Sequence, residues 1–270
     1  MTFNYLNSKD HRNLLKDLFY LTSSKEDVPF ESIILPLGLP SLVFIGSNQQ
    51  KILIKDKKEP VKKGLTLFGQ FYRSYKYFIN DDTKNFGVHL NPTSLYKILE
   101  KDISQFTNKQ IPFQEIDKKL SQEIEEIITK NRQDVFECEK KIINLINNIK
   151  LTDNKDVVLI EKAIEYIYKK EGLVKVNELL DILPYCQKSL QTKFKKIVGI
   201  TPIKFIKIIR FNHMLLKYQI QKEDIKKLLC EYNYYDVSHF NKDFKLMMNE
   251  SPKLFFEQKN HFLLDQYLNK

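Results

Sequence analysis

The sequence predicts an α+β N-terminal half followed by an all-helical C-terminal half, and three observations predict it. Between residues 32 and 90, short runs rich in Ile, Val and Phe alternate with turn residues. Beyond residue 157, apolar residues recur at i, i+3 and i+4, the spacing of one helix face. Within that second half, one residue pattern returns after 50 positions. A chain of 270 residues argues for two domains. The polar stretch LTDNKD (151–156) marks the boundary. The expected division is 1–150, 157–258 and a C-terminal tail at 259–270.

Taken in order, residues 9–21 read as a first helix. Residues 32–35, 41–45, 51–54, 65–71 and 86–90 read as strands, too short for helices and rich in β-branched and aromatic side chains. Pro92 opens a helix to 101, because proline suits a first helical turn. Helices follow at 113–131 and 134–149. The second carries Ile142, Ile143, Leu145, Ile146 and Ile149 on one stripe. Dimerisation and packing between domains fit that stripe equally well. After the boundary, helices are predicted at 157–170, 176–183, 187–197, 202–218, 222–232 and 237–248, with a last one after Pro252.

The repeat gives the helical half its plan. Leu190, Phe194, Lys195, Thr201, Pro202 and Phe205 recur as Phe240, Phe244, Lys245, Ser251, Pro252 and Phe255. A short helix precedes each copy. Each Thr or Ser can cap the helix whose first position its proline takes. Asp236 can cap the helix at 237–248, whereas its counterpart Cys186 is a poor cap. Short helix, tight turn and second helix is the helix-turn-helix plan, in which the second helix enters the major groove of DNA. The predicted fold is therefore an α+β N-terminal domain followed by an all-α domain of two helix-turn-helix units joined by a long helix.

Charge points the same way. The chain carries a net +10, which favours polyanions: nucleic acid first, acidic membrane surfaces second. A Lys-, Ile- and Asn-rich composition alone would also produce such a balance. The distribution is more informative. The 41 positions between Asp181 and Glu223 hold no acid, where the chain average of 34 in 270 predicts about five. They hold nine cations: Lys188, Lys193, Lys195, Lys196, Lys204, Lys207, Arg210, Lys217 and Lys222. Such a stretch suits phosphate neutralisation.

These residues resemble a known family. SLQTKFKKIVGITP (189–202) and YYDVSHFNKDFK (234–245), the latter followed by Ser251-Pro252, are similar to the two unit signatures of AraC/XylS-type regulators. IIRFN (208–212) is similar to that family's connecting helix. The resemblance covers about residues 157–258. It implies one polypeptide placing two recognition helices in successive major grooves, about 34 Å apart. LPLG (35–38), LVF (42–44) and FGVHLNP (86–92) more faintly resemble the uncharacterised DUF6597 domain. Departures are local. Asn233 and Asn249 stand where the family has glycine, and asparagine tolerates the left-handed backbone a turn needs. Val237 replaces a polar residue, and Leu179, Leu180, Leu229 and Cys230 replace small ones.

The outward positions of the second helix of each unit supply the DNA-contact candidates. Gln187, Lys188, Gln191 and Thr192 are candidate base readers in the first unit; glutamine suits adenine and lysine suits guanine. Ser238, His239, Asn241 and Lys242 are their counterparts in the second. Lys195, Lys196, Lys204, Arg210 and Lys245 are phosphate candidates. For His239 a packed structural role is equally open. For Arg210 an ion pair with an acid of the other unit is equally open.

Signatures of catalysis are missing from the sequence. There is no GxSxG, HExxH, P-loop or GxGxxG, and the histidines at 11, 89, 213, 239 and 261 show no metal-ligand spacing. Cys138, Cys186 and Cys230 form no CxxC or disulfide pattern, and the polar N-terminus has no signal-peptide core. A cytoplasmic, non-enzymatic protein without cofactor or metal is expected. Its expected partner is double-stranded DNA, with RNA polymerase a further one, and no membrane. The aromatic run FYRSYKYF (71–78) leaves room for a small-molecule effector in the N-terminal domain. The reading is a sequence-specific DNA-binding transcription regulator. Two rivals stay open: a non-specific architectural nucleic-acid-binding protein, and an enzyme domain fused to a DNA-binding module.

Overall fold

In a computed structural model of the chain, the segment predicted to open with a helix at 9–21 is instead a strand, β2 (Leu15–Ser23). The Asp10 carboxylate accepts backbone N–H bonds from Arg12, Leu14 and Leu15 at 2.8–3.0 Å and closes a turn ahead of it. β2 is central in its sheet. Leu15 and Leu18 enter one core while Phe19 and Leu21 enter another. A strand buried on both faces is apolar almost throughout, and short apolar runs do not distinguish strand from helix. The structure describes residues 1–6, 10–54, 56–152, 154–219, 221–257 and 262–268.

The remaining strands are β1 (Thr2–Leu6), β3 (Phe30–Ile34), β4 (Ser41–Ile45), β5 (Gln50–Ile54), β6 (Lys57–Val61), β7 (Gly64–Phe68), β8 (Tyr75–Ile79), β9 (Thr83–Leu90) and β10 (Gln110–Pro112). They form a six-stranded sheet, ordered β1-β2-β9-β4-β7-β10, and a four-stranded sheet, ordered β3-β8-β5-β6. The strand pairs of both sheets are antiparallel. The predicted strands at 32–35, 41–45, 51–54, 65–71 and 86–90 correspond to β3, β4, β5, β7 and β9. β6 escaped prediction because it is an edge strand carrying Lys57, Lys58, Glu59 and Pro60, the residue types that protect an exposed edge.

Alternation in β4 shows the layering. Val43 and Ile45 face the core between the sheets, while Leu42 and Phe44 face helices on the other side. Those helices are α1 (Ser94–Leu99), α2 (Lys118–Lys130) and α3 (Val135–Asn148). In α3, Ile142 and Ile146 are buried and Ile143, Leu145 and Ile149 are partly buried against the same core, so the predicted stripe goes to packing within the chain.

The helical half comprises α4 (Lys155–Lys169), α5 (Val176–Ile182), α6 (Gln187–Val198), α7 (Pro202–Gln219), α8 (Ile225–Glu231), α9 (Val237–Met248) and α10 (Pro252–Glu257). Asn154 caps α4, accepting from the Asp156 N–H at 2.8 Å. Part of the segment read as a tail forms α11 (Phe262–Leu268), whose Leu263 N–H donates to Ser32 of β3 at 3.1 Å. Residues 258–261, 269 and 270 lie outside the described ones. The predicted fold class is the one the structure has: sheets first, then helices.

The two halves share one hydrophobic core, which runs from the outer face of the six-stranded sheet through α2–α4 into α5–α10. Gly38, with φ +74°, lets the loop before β4 approach α7: an added Cβ would lie 3.1 Å from the Phe205 ring. Asn212 of α7 donates its amide to the Pro36 carbonyl of that loop at 3.0 Å.

Candidate nucleic-acid interface

The repeat in the sequence is a repeat in packing. Phe194 of α6 meets Phe205 of α7 edge-on, with ring centroids 5.6 Å apart and planes at 60°. Fifty residues on, Phe244 of α9 meets Phe255 of α10 at 5.4 Å and 65°. All four rings are fully buried. Each pair locks a second helix against the helix opened by the Thr-Pro or Ser-Pro step, where the Lys204 and Leu254 N–H groups approach the Thr201 and Ser251 hydroxyls.

Helix ends follow the capping chemistry of the sequence. The Asp236 carboxylate accepts from the His239 N–H at 2.7 Å and starts α9, whereas Cys186 makes no side-chain cap on α6. Gly199 closes α6 at φ +96° and Asn249 closes α9 at φ +59°. Asn233 takes φ +57° in the turn between α8 and α9. Both asparagines thus occupy left-handed positions that favour glycine.

With Leu190, Phe194, Ile197 and Val198 buried, α6 turns Gln187, Lys188, Thr192 and Lys195 outward and leaves Gln191 half-buried. The Thr192 hydroxyl donates back to the Lys188 carbonyl at 2.9 Å, so its proton is engaged by its own helix. In α9, Phe240, Asp243, Phe244, Met247 and Met248 are buried, while Ser238, His239, Asn241, Lys242 and Lys245 are exposed. The His239 ring lies 5.2 Å from Tyr234, edge-on.

The C-terminal ends of both helices rest on one loop of the N-terminal half, between β7 and β8. Gln70 of that loop lies against Gly199, and Thr107, from the segment ahead of β10, donates its hydroxyl to the Gly199 carbonyl at 2.5 Å. The Ser74 N–H donates to the Met247 carbonyl at 2.6 Å, and the Asn249 amide donates to the Ser74 carbonyl at 2.8 Å. The opposite ends, at Gln187-Lys188 and Val237-Ser238, are exposed.

The acid-free stretch is less cationic in space than in sequence. Lys193 pairs with Asp156, whose carboxyl it holds below the usual carboxylate range. Lys207 and Arg210 share Asp243 of α9 at 3.1 and 3.6 Å. Lys217 pairs with Glu231 and, at 3.3 Å, with Glu171. Arg210 also stacks over Tyr234 at 5.3 Å, so its guanidinium joins α7 to the second unit. Lys196 and Lys204 lie over Tyr96 and Tyr72 of the N-terminal half, at 5.9 and 3.7 Å. Among the described residues, Lys188, Lys195, Lys242 and Lys245 form no ion pair. Sequence reasoning missed Asp243, whose partners lie over 30 positions away, and it marked Val237 as a departure without its exposure, which follows only from packing.

Two segments match known family models. Residues 179–258 match a helix-turn-helix domain, and residues 8–112 match a domain of unknown function, DUF6597. The fold is similar to that of an apo ToxT variant from Vibrio cholerae strain SCE256, at 12% identity, covering 92% of this chain and 98% of that one, with a TM-score of 0.47. Wild-type ToxT from the same strain, bound to an unsaturated fatty acid, is similar at 15% identity, 92% and 96% coverage and a TM-score of 0.41. The AraC-like transcriptional activator CuxR is similar at 10% identity, 84% and 89% coverage and a TM-score of 0.27. No curated protein matches the sequence. The helix pairs and the matched segments define a DNA-binding transcription regulator. The chain carries a C-terminal helix-turn-helix domain behind an N-terminal DUF6597 domain.

Proposed function

We propose that this regulator reads a specific duplex sequence by placing α6 and α9 in successive major grooves. The observation that carries this reading is the duplicated packing unit: two helices, each locked by a buried Phe pair, each turning several polar side chains outward. Gln187, Lys188, Gln191 and Thr192 read base edges from α6, and Ser238, His239, Asn241 and Lys242 read them from α9. Lys195, Lys196, Lys204 and Lys245 hold phosphates. Arg210 acts from inside, through Asp243. The division of labour is a sensing region within 1–150 and a reading region within 157–258.

Internal neutralisation favours specific over architectural binding. Lys193, Lys207, Arg210 and Lys217 are already paired within the chain. Non-specific affinity rests on cations free to displace counterions. The test is competition in a gel-shift assay, using duplexes selected from a random pool against unselected DNA. Lys188→Ala and Gln191→Ala are each expected to weaken selected-site binding by about 1–3 kcal/mol. Equal retention of selected and random DNA by the unmodified chain defeats the reading.

The N-terminal region tunes occupancy by binding an apolar small molecule between its two sheets. A cavity of about 120 Å³ there is lined by Phe3, Phe19, Val43, Phe68, Phe71 and Tyr75, among others. One water needs only ~10–15 Å³, and apolar walls offer it few partners. His89 lines the same space, with its Nδ1 2.5 Å from Asp17, and supplies the polar anchor. Phe71 and Tyr75 flank Ser74, which holds the end of α9. Fluorescence of an apolar naphthalene dye, quenched in a Val43→Trp variant that fills the cavity, checks occupancy.

A further inference from the structure

Val237 is an exposed apolar side chain beside the polar candidate readers of α9, in a unit where Tyr235 and Leu246 are exposed as well. It occupies the first position of α9 and is 55% exposed. The Asp236 cap fixes the start of the helix and hence the direction in which residue 237 projects. Asn241, four positions on, shares its face. The offset of 50 that relates the two units places Val237 where the first unit has Gln187, an exposed candidate base reader. The packing pairs Phe194–Phe205 and Phe244–Phe255 show that this correspondence holds in space. The two units therefore offer different chemistry at one equivalent position: an amide in α6 and a branched alkyl group in α9.

An alkyl group has one complementary feature in the major groove, the C5-methyl of thymine. We propose that Val237 is a specificity-determining residue that reads a thymine methyl in the half-site of the second unit. Asn241 on the same face would read the neighbouring adenine edge through N6 and N7. The departure from a polar residue at 237 then exchanges one kind of base reading for another, without loss of discrimination. This inference rests on the proposed sequence-specific reading by both units.

Replacing thymine by deoxyuridine removes that methyl and leaves Watson–Crick pairing intact. Full-length protein is first used to select duplexes from a random pool, and each thymine of the enriched site is then replaced singly by deoxyuridine. At one position under the second unit, the replacement is expected to weaken binding by the unmodified chain about fourfold, the transfer value of one methyl-sized group. The same replacement is expected to leave binding by the Val237→Ala protein unchanged. Val237→Gln is expected to shift the preferred base pair at that position alone. Because residue 237 is exposed, both variants should keep the parent melting temperature, and Val237→Thr, which retains one γ-methyl, should keep part of the effect. Equal losses for the unmodified and Val237→Ala proteins at every thymine would overturn the assignment while leaving sequence-specific reading intact. Absence of any enriched sequence would overturn both.

Discussion

Asn249 donates its side-chain amide to the Ser74 carbonyl at 2.8 Å, tying the end of the second reading helix to the N-terminal half. The same residue holds a backbone φ of 59°. Two substitutions separate these roles. Asn249→Gly keeps the left-handed backbone and loses the bond. It is expected to cost about 0.5–1.5 kcal/mol and to raise hydrogen exchange at the Ser74 amide. Asn249→Val loses the bond and adds about 1–2 kcal/mol of backbone cost. Urea unfolding of the two variants measures the difference.

Asp243 is the electrostatic link between α7 and α9. Its side chain is buried and its carboxylate meets both Lys207 and Arg210. Asp243→Ala would leave two neighbouring cations without their anion, and the Arg210 Nε already has no hydrogen-bond partner among the described residues. The expected loss is about 1–3 kcal/mol. That lies below the ~3–5 kcal/mol of a fully buried pair because Lys207 keeps solvent access. Thermal unfolding gives the value, and Asp243→Glu should recover part of it.

Acidification should act through His213 before it acts through carboxylates. Burial lowers the His213 pKa, opposed by nearby Glu171 and reinforced by Lys217. The unfolded chain then takes up the proton first as pH falls below ~6.5. Stability from this source is complete above that value and is lost as pH drops toward the folded pKa. The bonds that lower Asp156 and Glu171, from Lys193 and Tyr232 respectively, act in a separate window. Their contribution is present above the unfolded carboxylate pKa of ~4 and is lost as pH falls through their folded values. His213→Gln is expected to flatten the stability profile in the window just below pH ~6.5 and leave the acid limb in place. Denaturant midpoints across pH 3–8 test both halves of that statement.

Lys195 is exposed and forms no ion pair among the described residues. Lys195→Ala should weaken selected and random duplexes alike and lower the salt-dependence slope of binding by about one. Lys193→Ala removes a cation already matched by Asp156, so its slope should change less. Fluorescence anisotropy over a salt series distinguishes the two.

The helical half was legible because its signals are local. Helical spacing placed α4 to α10, and the offset of 50 marked both units from six matched residues in each. The outward positions followed once Leu190 and Phe194, and Phe240 and Phe244, were taken as inward. The N-terminal half was read less well. β2 passed for a helix because burial on both faces removed its alternation, and β6 was missed because its charges belong to an edge. Charge was read one-dimensionally. No local rule links Lys193 to Asp156 or Arg210 to Asp243, and those pairings form only when the helices fold together.

The seating of the Pro36–Gly38 loop on α7 bears on how this chain can be dissected. Phe205, Ile208 and Ile209 lie within 3.1–3.6 Å of where a Cβ on Gly38 would stand. Cutting at 151–156 to isolate the reading region would strip that cover and present a wet aliphatic and aromatic strip to solvent. The excised piece should then aggregate unless polar substitutions along the strip replace the missing partner.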